Sequence, residues 1–367
     1  MPPKSEPIAV DTDTLDVVSF NIRYEGVEAH EHRLFSNRLK YIAKFVDTTG
    51  PWLVGLQEAL PGQVVRLQER LPRFGIIGYQ GDGHGALAMS DTRRKHDFHT
   101  SILFDREKLD LVSHDHVWLS DTPRVEGSKS WGSKRPRTLT IAAFRLKDAA
   151  GVNLVMFNTH LDVHSAQARA EQVRQIGHHV RAWRKTYPKA TFLATGDFNS
   201  LNGQLPHQLM LESSLVDAWD ACGADSSCAL VHFPVTFHGW FGGYAGSYVA
   251  RVPEFILFTL HGSGIEMPTS VPDSIAECVE MIRVILSQLP SITGLWQALP
   301  QSLTRMHIDW IFFDGAKPLS VFVGDVRRDG AHSSDHFPVV ARFALSSVSS
   351  VFGCDTALDS MSLCTVE

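Results

Sequence analysis

The chain has 367 residues, of which 44% are hydrophobic and 20% are charged, and its formal net charge is −6 at pH 7. This composition is ordinary for a globular protein with a sizeable core, and it excludes a largely disordered chain. The acidic balance argues against a long basic surface for nucleic acid, because such surfaces need clustered Lys and Arg.

The first half of the chain alternates between strand and helix patterns. Residues 1–14 are polar and predict a flexible N-terminal arm. Apolar residues at helical spacing predict one helix from Phe35 to Val46 and a second around Val64 to Leu71. Runs rich in β-branched and aromatic residues predict strands at 16–22, 52–56, 74–79, 100–104, 109–119 and 139–146.

The second half continues the same mixture. A helix is predicted at 166–187, and strands at 152–161, 191–195, 307–313, 319–326 and 337–345. Residues 346–367 form a Ser-rich tail that we expect to be mobile. Short strands interspersed with helices indicate α/β or α+β packing in layers, but this pattern alone does not choose a topology.

The sequence contains no signal for secretion or for a membrane span. The N-terminus has no apolar segment, and the longest apolar runs fall short of a bilayer span. The five cysteines are scattered, and no pair has zinc-ligand spacing, so we expect free thiols in a reducing compartment. We therefore expect a cytoplasmic or intracellular protein without integral membrane association.

Six polar clusters lie at the ends of predicted strands. The first three are SFNIR with Asn21, LQE with Glu58, and NTHLD with His160. Each has a structural explanation, since Asn21 could start a turn and Glu58 could stabilise a helix N-terminus. Alternation in the third strand places Asn158 and His160 on one face, whose carboxyl end is where open α/β sheets bind ligands.

The other three clusters follow later in the chain. They are GDFNS with Asp197 and Asn199, HIDWIFF with Asp309, and SSDHFPV with Asp335 and His336. An Asp within an apolar strand is costly unless it is paired or bound to a metal. Together the six clusters repeat one feature, an oxygen or imidazole group at the end of a buried strand, which predicts one shared site.

In this order, the motifs SFNIR, LQE, NTHLD, GDFNS, HIDWIFF and SSDHFPV resemble the endonuclease/exonuclease/phosphatase superfamily over about residues 15–240 and 305–345. The segment 118–131 looks similar to a bacterial and fungal subgroup of it. The resemblance implies an α/β (α+β) fold, a four-layer sandwich of two facing mixed sheets flanked by helices. It also implies one domain at 15–345 with an insertion at about 241–304.

The resemblance further implies a metal-dependent hydrolase that cleaves P–O bonds. Mg²⁺, or alternatively Mn²⁺, would be held by Glu58, with Asn21 and Asp335 nearby. Such cations prefer oxygen ligands and take few protein carboxylates. The absence of cysteine among these residues makes zinc a poor choice.

The same resemblance assigns catalytic roles. Asp197 would orient or deprotonate the attacking water, and Asn199 and His160 would stabilise phosphoryl oxygens. His160 would also be able to protonate the leaving group. His336 would contact the scissile phosphate, oriented by Asp309 or Asp335.

Two features depart from the superfamily pattern. Many relatives have a Glu that pairs with the histidine of the Thr-His motif, whereas the nearest carboxylate here is Asp97, one residue out of register. The chain also inserts residues 241–304, which include a predicted helix at 274–289. We expect this insertion to pack beside the site and to select substrate, although it could equally decorate a sheet edge.

The expected substrate is a compact phosphoester. Basic residues gather in the loop 129–137, where Arg137 could bind a phosphate through two hydrogen bonds and Trp131 could stack on a base or sugar. His238, in the segment before the insertion, is a further candidate for binding substrate.

Other functions remain open. The main alternative is a 3′-exonuclease or endonuclease acting on RNA or DNA, for which single-stranded nucleic acid would be the partner. A lipid phosphodiesterase is disfavoured because no basic amphipathic segment is present. A catalytically inactive interaction protein is disfavoured by the intact set of polar motif residues.

Overall fold

Two β-sheets face each other at the centre of the molecule. The computed structural model describes residues 14–26, 30–78, 99–147, 149–230, 236–238, 240, 307–328 and 331–345. Within these ranges the strands are β1 (Thr14–Asn21), β2 (Leu53–Ala59), β3 (Phe74–Ile77), β4 (His99–Asp105), β5 (Leu109–Trp118), β6 (Thr138–Leu146), β7 (Leu154–His160), β8 (Thr191–Asp197), β9 (Val216–Asp217), β10 (Ala229–Leu230), β11 (Asp309–Asp314), β12 (Ala316–Val323), β13 (Arg327–Arg328), β14 (Ala331–His332) and β15 (Val339–Leu345).

Sheet A has the strand order β10-β12-β15-β1-β2-β4-β3, and sheet B has the order β5-β6-β7-β8-β11-β9. Both sheets are mixed. β1 runs parallel to β2 and antiparallel to β15, with Thr14 opposite Ala344. In sheet B, β7 and β8 are parallel, and β8 and β11 are antiparallel. β13 and β14 form a separate pair.

Helices cover the outer faces of the two sheets. In the described part of the chain they are α1 (Phe35–Thr49), α2 (Pro61–Arg70), α3 (Ala166–Thr186), α4 (Leu205–Glu212) and α5 (Ala218–Ala224), with a 3₁₀ turn at Glu31–Arg33. The result is a four-layer α/β sandwich, which confirms the fold implied by the motifs.

Amphipathic spacing explains how the helices pack. In α1, Phe35, Leu39, Ile42 and Val46 form one buried stripe against the outer face of sheet A. The helix ends at Gly50, which adopts the left-handed conformation with φ 61°. On the other side, α3 packs against sheet B, and Ser165 caps its N-terminus by accepting a hydrogen bond from the Ala168 amide.

The interior between the sheets contains a polar connection within an otherwise apolar core. Asn158 on β7 donates to the carbonyls of Leu56 and Ser101 in sheet A, at 2.8 and 2.9 Å. Its Oδ1 accepts from Gln57 Nε2 at 2.8 Å and from Thr195 Oγ1 at 3.1 Å. This network joins the two sheets beneath the edge where the motif residues lie.

Every predicted strand and helix within the described ranges is present, with ends displaced by a few residues. The helices α4 and α5 were not predicted. Residues 1–13, the insertion 241–304 with its predicted helix 274–289, and the tail 346–367 lie outside the described residues, so the expectations about them stay predictions. None of the described helices combines the length and apolarity needed to cross a membrane.

One expectation about the cysteines is wrong. Cys222 and Cys228 form a disulfide, with their Cα atoms 5.2 Å apart, because the chain turns back after α5 and brings the two residues together. Disulfides are typical of oxidising compartments. The expectation of free thiols therefore fails for this pair, and with it the thiol argument for an intracellular location.

Candidate functional site

The polar motif residues meet at one edge of the sandwich. β1, β2, β7 and β8 end at this edge, whereas β11 and β15 begin there because they run antiparallel to their neighbours. Asp309 is thereby paired directly with Asp197, and His160 with Asp197 on the other side. The residues that this edge collects are Asn21, Glu58, His160, Asp197, Asn199, Asp309, Asp335 and His336.

Asp197 lies at the centre of these side chains and is almost fully buried. Its Oδ2 accepts a hydrogen bond from Asn21 Nδ2 of the facing sheet at 3.0 Å. The same oxygen lies 3.5 Å from His160 Nε2 and 3.6 Å from His336 Nε2. One carboxylate oxygen therefore faces two imidazoles and one amide, which limits where a water or a substrate oxygen can approach it.

The turn after Asp197 is held by its own side chains. The Asn199 amide donates to Asp197 Oδ1 at 2.9 Å, and Asn199 Nδ2 donates to the Leu161 carbonyl at 3.0 Å. Asn199 has φ 45°, a conformation that Asn tolerates better than most residues. Gly196 is required for close approach, because a Cβ there would lie 2.6 Å from the Thr159 carbonyl oxygen.

His336 forms a buried pair with Asp309. The distance from His336 Nδ1 to Asp309 Oδ2 is 2.9 Å. Burial lowers the pKa of His336, but the carboxylates of Asp309 and Asp197 outweigh it and raise that pKa to about 9. The imidazole is therefore protonated at neutral pH, and of the two carboxylates proposed to orient it, Asp309 makes the contact.

His160 has the opposite electrostatics. Burial, followed by repulsion from Arg137, lowers the pKa of His160 well below its usual value, so the ring is neutral at neutral pH. Neither ring nitrogen has a hydrogen-bond partner among the described residues. Asp97, the candidate for orienting this ring, lies outside the described residues.

Glu58 and Asp335 face each other across Arg23. The Nη1 atom of Arg23 lies 3.8 Å from Glu58 Oε2 and 3.7 Å from Asp335 Oδ2. Glu58 also has φ 58°, an uncommon conformation for a non-glycine residue that is often found at functional sites. Two carboxylates therefore face one positive charge, and the Asn21 amide lies beside them. Together they form an oxygen donor set that fits a divalent cation such as Mg²⁺.

A second arrangement of ligands is also present. Ligand atoms of Asp197, Asp309 and His336 all lie within 4.8 Å of one another, so this buried cluster could hold a metal ion. A histidine must be neutral to bind a metal. The protonated state of His336 that Asp309 favours therefore competes with metal binding at this cluster.

The predicted substrate-binding residues occupy different positions. Arg137 is buried beside the site, and Asp162, Asp197 and Glu58 are the carboxylates whose charges act on it. Trp131 lies in the turn before it, and its carbonyl accepts a hydrogen bond from Ser165 Oγ at 2.8 Å.

His238 is fully buried, and its ring packs at a tilt against His332 and Phe337, with ring centroids 4.2 and 4.3 Å away. Burial is the main cause that lowers its pKa, to about 3. The backbone amide of His238 donates a hydrogen bond to the Asp335 carbonyl at 2.8 Å. In this position His238 is better placed to support Asp335 than to contact substrate.

Arg38 supports the site in a way that the sequence analysis missed. Although it lies within the buried stripe of α1, its guanidinium donates to the carbonyls of Ile22 at 2.6 Å, Arg23 at 3.1 Å and Ser333 at 3.0 Å. It thus ties together the two segments that carry Asn21 and Asp335. The signal was a charged residue on the apolar face of an amphipathic helix, which requires buried partners.

The chain resembles other proteins when structures are compared, but not when its sequence is compared with protein families. No protein-family model matches the chain, and no curated protein sequence does. Among solved structures, an endonuclease/exonuclease/phosphatase family protein from Bacteroides thetaiotaomicron matches with a TM-score of 0.63 and 21% identity, covering 91% of this chain and 95% of that one.

Two further structures have named activities or ligands. A mannosyl-6-phosphatase from Bacteroides thetaiotaomicron matches with a TM-score of 0.62 and 20% identity, covering 90% of this chain and 100% of that one. D. rerio TDP2 in complex with a single-stranded DNA product matches with a TM-score of 0.53 and 15% identity, covering 90% and 98%. The chain therefore has the fold of these endonuclease/exonuclease/phosphatase proteins, which is the fold that the resemblance of its motifs implied.

Proposed function

We propose that the chain is a divalent-metal-dependent phosphoesterase that hydrolyses a P–O bond in a compact substrate. The observation that carries this proposal is the position of Asp197 between a neutral and a protonated histidine, His160 and His336, next to the facing carboxylates Glu58 and Asp335. Hydrolysis of phosphoesters needs mainly positioning and charge stabilisation, and these groups supply both.

In this proposal Glu58, Asn21 and Asp335 hold Mg²⁺, with Mn²⁺ as an effective substitute. When bound, the cation offsets negative charge on the phosphoryl group and on the leaving oxygen. Asp335 Oδ1 lies within 3.4 Å of Ser334 Oγ, and Glu58 Oε2 accepts a hydrogen bond from the Tyr24 amide at 3.1 Å. Both carboxylates are therefore held in place before substrate arrives.

The chain's own residues would carry the proton transfers. Asp197 Oδ1 and Oδ2 are oriented by Asn199 and Asn21, so this carboxylate can align an attacking water and accept its proton. His336, kept protonated by Asp309, can donate a hydrogen bond to a phosphoryl oxygen. His160, being neutral, can stabilise a second oxygen through one ring N–H, and Asn199 lies beside it.

The structural neighbours support a phosphoester substrate of either of two kinds. One of them is named a mannosyl-6-phosphatase, which agrees with a compact phosphomonoester. TDP2 is described in complex with a single-stranded DNA product, which favours a nuclease or phosphodiesterase as the second candidate. The acidic balance of this chain favours a compact substrate of either kind over a long nucleic acid.

An activity screen with controlled metal content tests the proposal. The purified protein is stripped with EDTA and assayed with Mg²⁺, Mn²⁺ or no metal against sugar phosphates, nucleotides, bis-p-nitrophenyl phosphate, single-stranded RNA and duplex DNA. We expect activity with either cation and none without. Full activity after exhaustive EDTA treatment, or no hydrolysis of any phosphoester, would contradict the proposal.

The role of Asp197 can be tested separately. We expect Asp197→Ala to lower kcat by at least about 10²-fold, the scale for losing a positioned acid–base group. Asp314→Ala is the matched control, because Asp314 ends the neighbouring strand β11 at the opposite edge and pairs there with Arg184. A near-normal kcat for a correctly folded Asp197→Ala variant would remove this residue from the mechanism.

A further inference from the structure

Arg137 is a buried cation with unused hydrogen-bond donors. Its side chain is 4% exposed, and its Nε and Nη1 atoms have no hydrogen-bond partner within the part of the chain that the structure describes. Leaving buried donors of a charged group without hydrogen bonds is costly, so such donors at a candidate active site indicate an anion that binds there. Asp197 and Glu58 both act on Arg137 electrostatically, which places it beside the reacting groups.

Asp162 is the carboxylate nearest to this arginine. It is the last residue of the NTHLD motif that contains His160, and it is completely buried. Its Oδ2 accepts a hydrogen bond from Ser133 Oγ at 2.8 Å and lies 3.9 Å from Arg137 Nε. At this distance Asp162 attracts the guanidinium without using its hydrogen-bond donors. Ser133 belongs to the same basic loop as Arg137, so one carboxylate oxygen fixes both the loop and the arginine.

The other oxygen of Asp162 has a separate task. Oδ1 accepts hydrogen bonds from the amides of His164 and Ser165 at 2.8 and 2.7 Å, which shapes the turn before α3. The carbonyl of Asp162 also accepts from Arg169 Nη1 at 3.0 Å. The two oxygens therefore serve different parts of the fold, and a substitution can remove the charge while keeping the acceptor at Oδ1.

We propose that Arg137 binds the phosphoryl oxygens of the substrate, and that Asp162 and Ser133 are positioning residues that hold its guanidinium toward the site. The inference rests on the proposed phosphoesterase function. Asp162 counters the cost of burying the arginine, and because it stays beyond hydrogen-bond distance it leaves the N–H groups directed to the ligand. The arrangement follows from the pairing of β6 with β7: Ser133 and Arg137 precede β6, and Asp162 follows the end of the antiparallel neighbour β7.

Inorganic phosphate is a probe that reports on this arrangement without turnover. Its affinity for the Mg²⁺-loaded protein is measured by titration calorimetry for the wild type, Arg137→Met, Asp162→Asn and the double variant. We expect Arg137→Met to weaken phosphate binding by about tenfold to a hundredfold, the scale for a hydrogen bond to a charged group. Asp162→Asn should weaken it by about tenfold, and by less than about twofold in the Arg137→Met background.

The matched control is Asp105→Asn. Asp105 is also fully buried, accepts a backbone hydrogen bond from Glu107 at 2.9 Å and faces Arg73 Nε at 3.4 Å, but it lies at the far end of β4. We expect this variant to bind phosphate as the wild type does. If Asp162→Asn does not fold, as judged by circular dichroism, Ser133→Ala replaces it in the cycle, with a smaller loss expected.

The possible outcomes separate the two proposals. If Asp162→Asn weakens binding equally with and without Arg137, it acts on the fold alone, and the positioning role is overturned while the phosphoesterase proposal stands. If Arg137→Met binds phosphate as tightly as the wild type, the arginine is not a ligand. A wild-type protein that neither binds phosphate nor hydrolyses any phosphoester overturns both.

Discussion

At the scale of single residues, His336 and Asp309 show how burial and charge compete. Removal from water disfavours the imidazolium, yet two carboxylates around the ring reverse that effect and raise the pKa of His336 to about 9. The hydrogen bond from Nδ1 to Asp309 leaves Nε2 directed toward Asp197. The protonated ring is therefore a stable part of the folded site.

This pair should make stability depend on pH. The pKa of His336 is raised above its unfolded value of about 6.5, so its stabilising effect is complete below that pH and is lost as pH rises through about 9. In metal-free protein we expect the free energy of unfolding to fall by about 3 kcal/mol across this window. Urea unfolding in EDTA from pH 6 to pH 10 measures it.

Asp309→Asn is the informative variant for this prediction. Asn keeps the size of the side chain and can still accept a hydrogen bond, but it removes the first of the two charges that raise the pKa of His336. We expect the decline in stability to shift to lower pH and to become smaller. Identical pH profiles for the variant and the wild type would contradict the assignment of the pKa to this pair.

Individual residues of the site could be predicted from the sequence where a polar residue interrupts an otherwise apolar strand. Asn21, Glu58, Asp197 and Asp309 were found in this way, because a polar group at the end of a buried strand requires a reason. The partners of Arg38 and Arg137 were not predictable, since they lie on other segments that only the folded chain brings to these two residues. The Cys222–Cys228 disulfide was missed because the turn that joins them depends on α5, a helix too short to show a clear pattern.

At the scale of elements, the network around Asn158 fixes one sheet against the other. β7 contributes both Asn158 and His160 to the inner face, so the polar connection lies directly beneath the site. Gly55 of β2 is part of the same contact, because a Cβ there would collide with Thr195 Oγ1 and Asn158 Oδ1. The two sheets can approach at this point only if that residue is glycine.

Loss of this network should destabilise the protein strongly. Asn158→Ala removes the buried hydrogen bonds to the carbonyls of Leu56 and Ser101 and those from Gln57 Nε2 and Thr195 Oγ1, and we expect it to cost about 3 kcal/mol or more of unfolding free energy. The control is Asn153→Ala, which removes a single hydrogen bond to the Leu146 amide at a half-buried position and should cost about 1 kcal/mol. Denaturant unfolding at pH 7 measures both, and equal costs would contradict the role given to Asn158.

Elements differed in how well the sequence predicted them. The buried strands were found because their runs are continuously apolar, and α1 and α3 because they are long enough for several turns of spacing. The helix α4 has only 8 residues and α5 only 7, so neither presents enough turns to display a period. The strand order could not be derived from pattern, because pairings such as β1 with β15 join opposite ends of the chain.

At the scale of the whole molecule, net charge bears on substrate size. A protein that holds duplex DNA along several phosphates needs many basic residues, and its binding weakens steeply with salt. This chain has a net charge of −6, and its site offers Arg137 and Arg23 as local cations. Such a distribution suits one or two phosphates better than a long polymer.

We therefore expect kcat/KM to be higher for nucleotides and sugar phosphates than for duplex DNA and poly(A). The comparison is made across a salt series, because binding that depends on many phosphates is lost as ionic strength rises. The compact substrates should show only a weak salt dependence. A strong preference for either polymer that collapses between low and moderate salt would identify a nuclease instead.

The pairing of β1 with β15 has a consequence for how the chain can be rearranged. Thr14 lies opposite Ala344, so the first and last described strands begin and end side by side, whereas Asn21, at the other end of β1, lies in the site. A short linker could join these two ends, and new termini could be opened in an exposed turn such as 149–151, giving a circular permutant with the same sheets.

For the same reason, a fusion partner attached before β1 or after β15 joins the sandwich at the edge remote from Asp197. A surface tether at either end would then leave the site open to substrate.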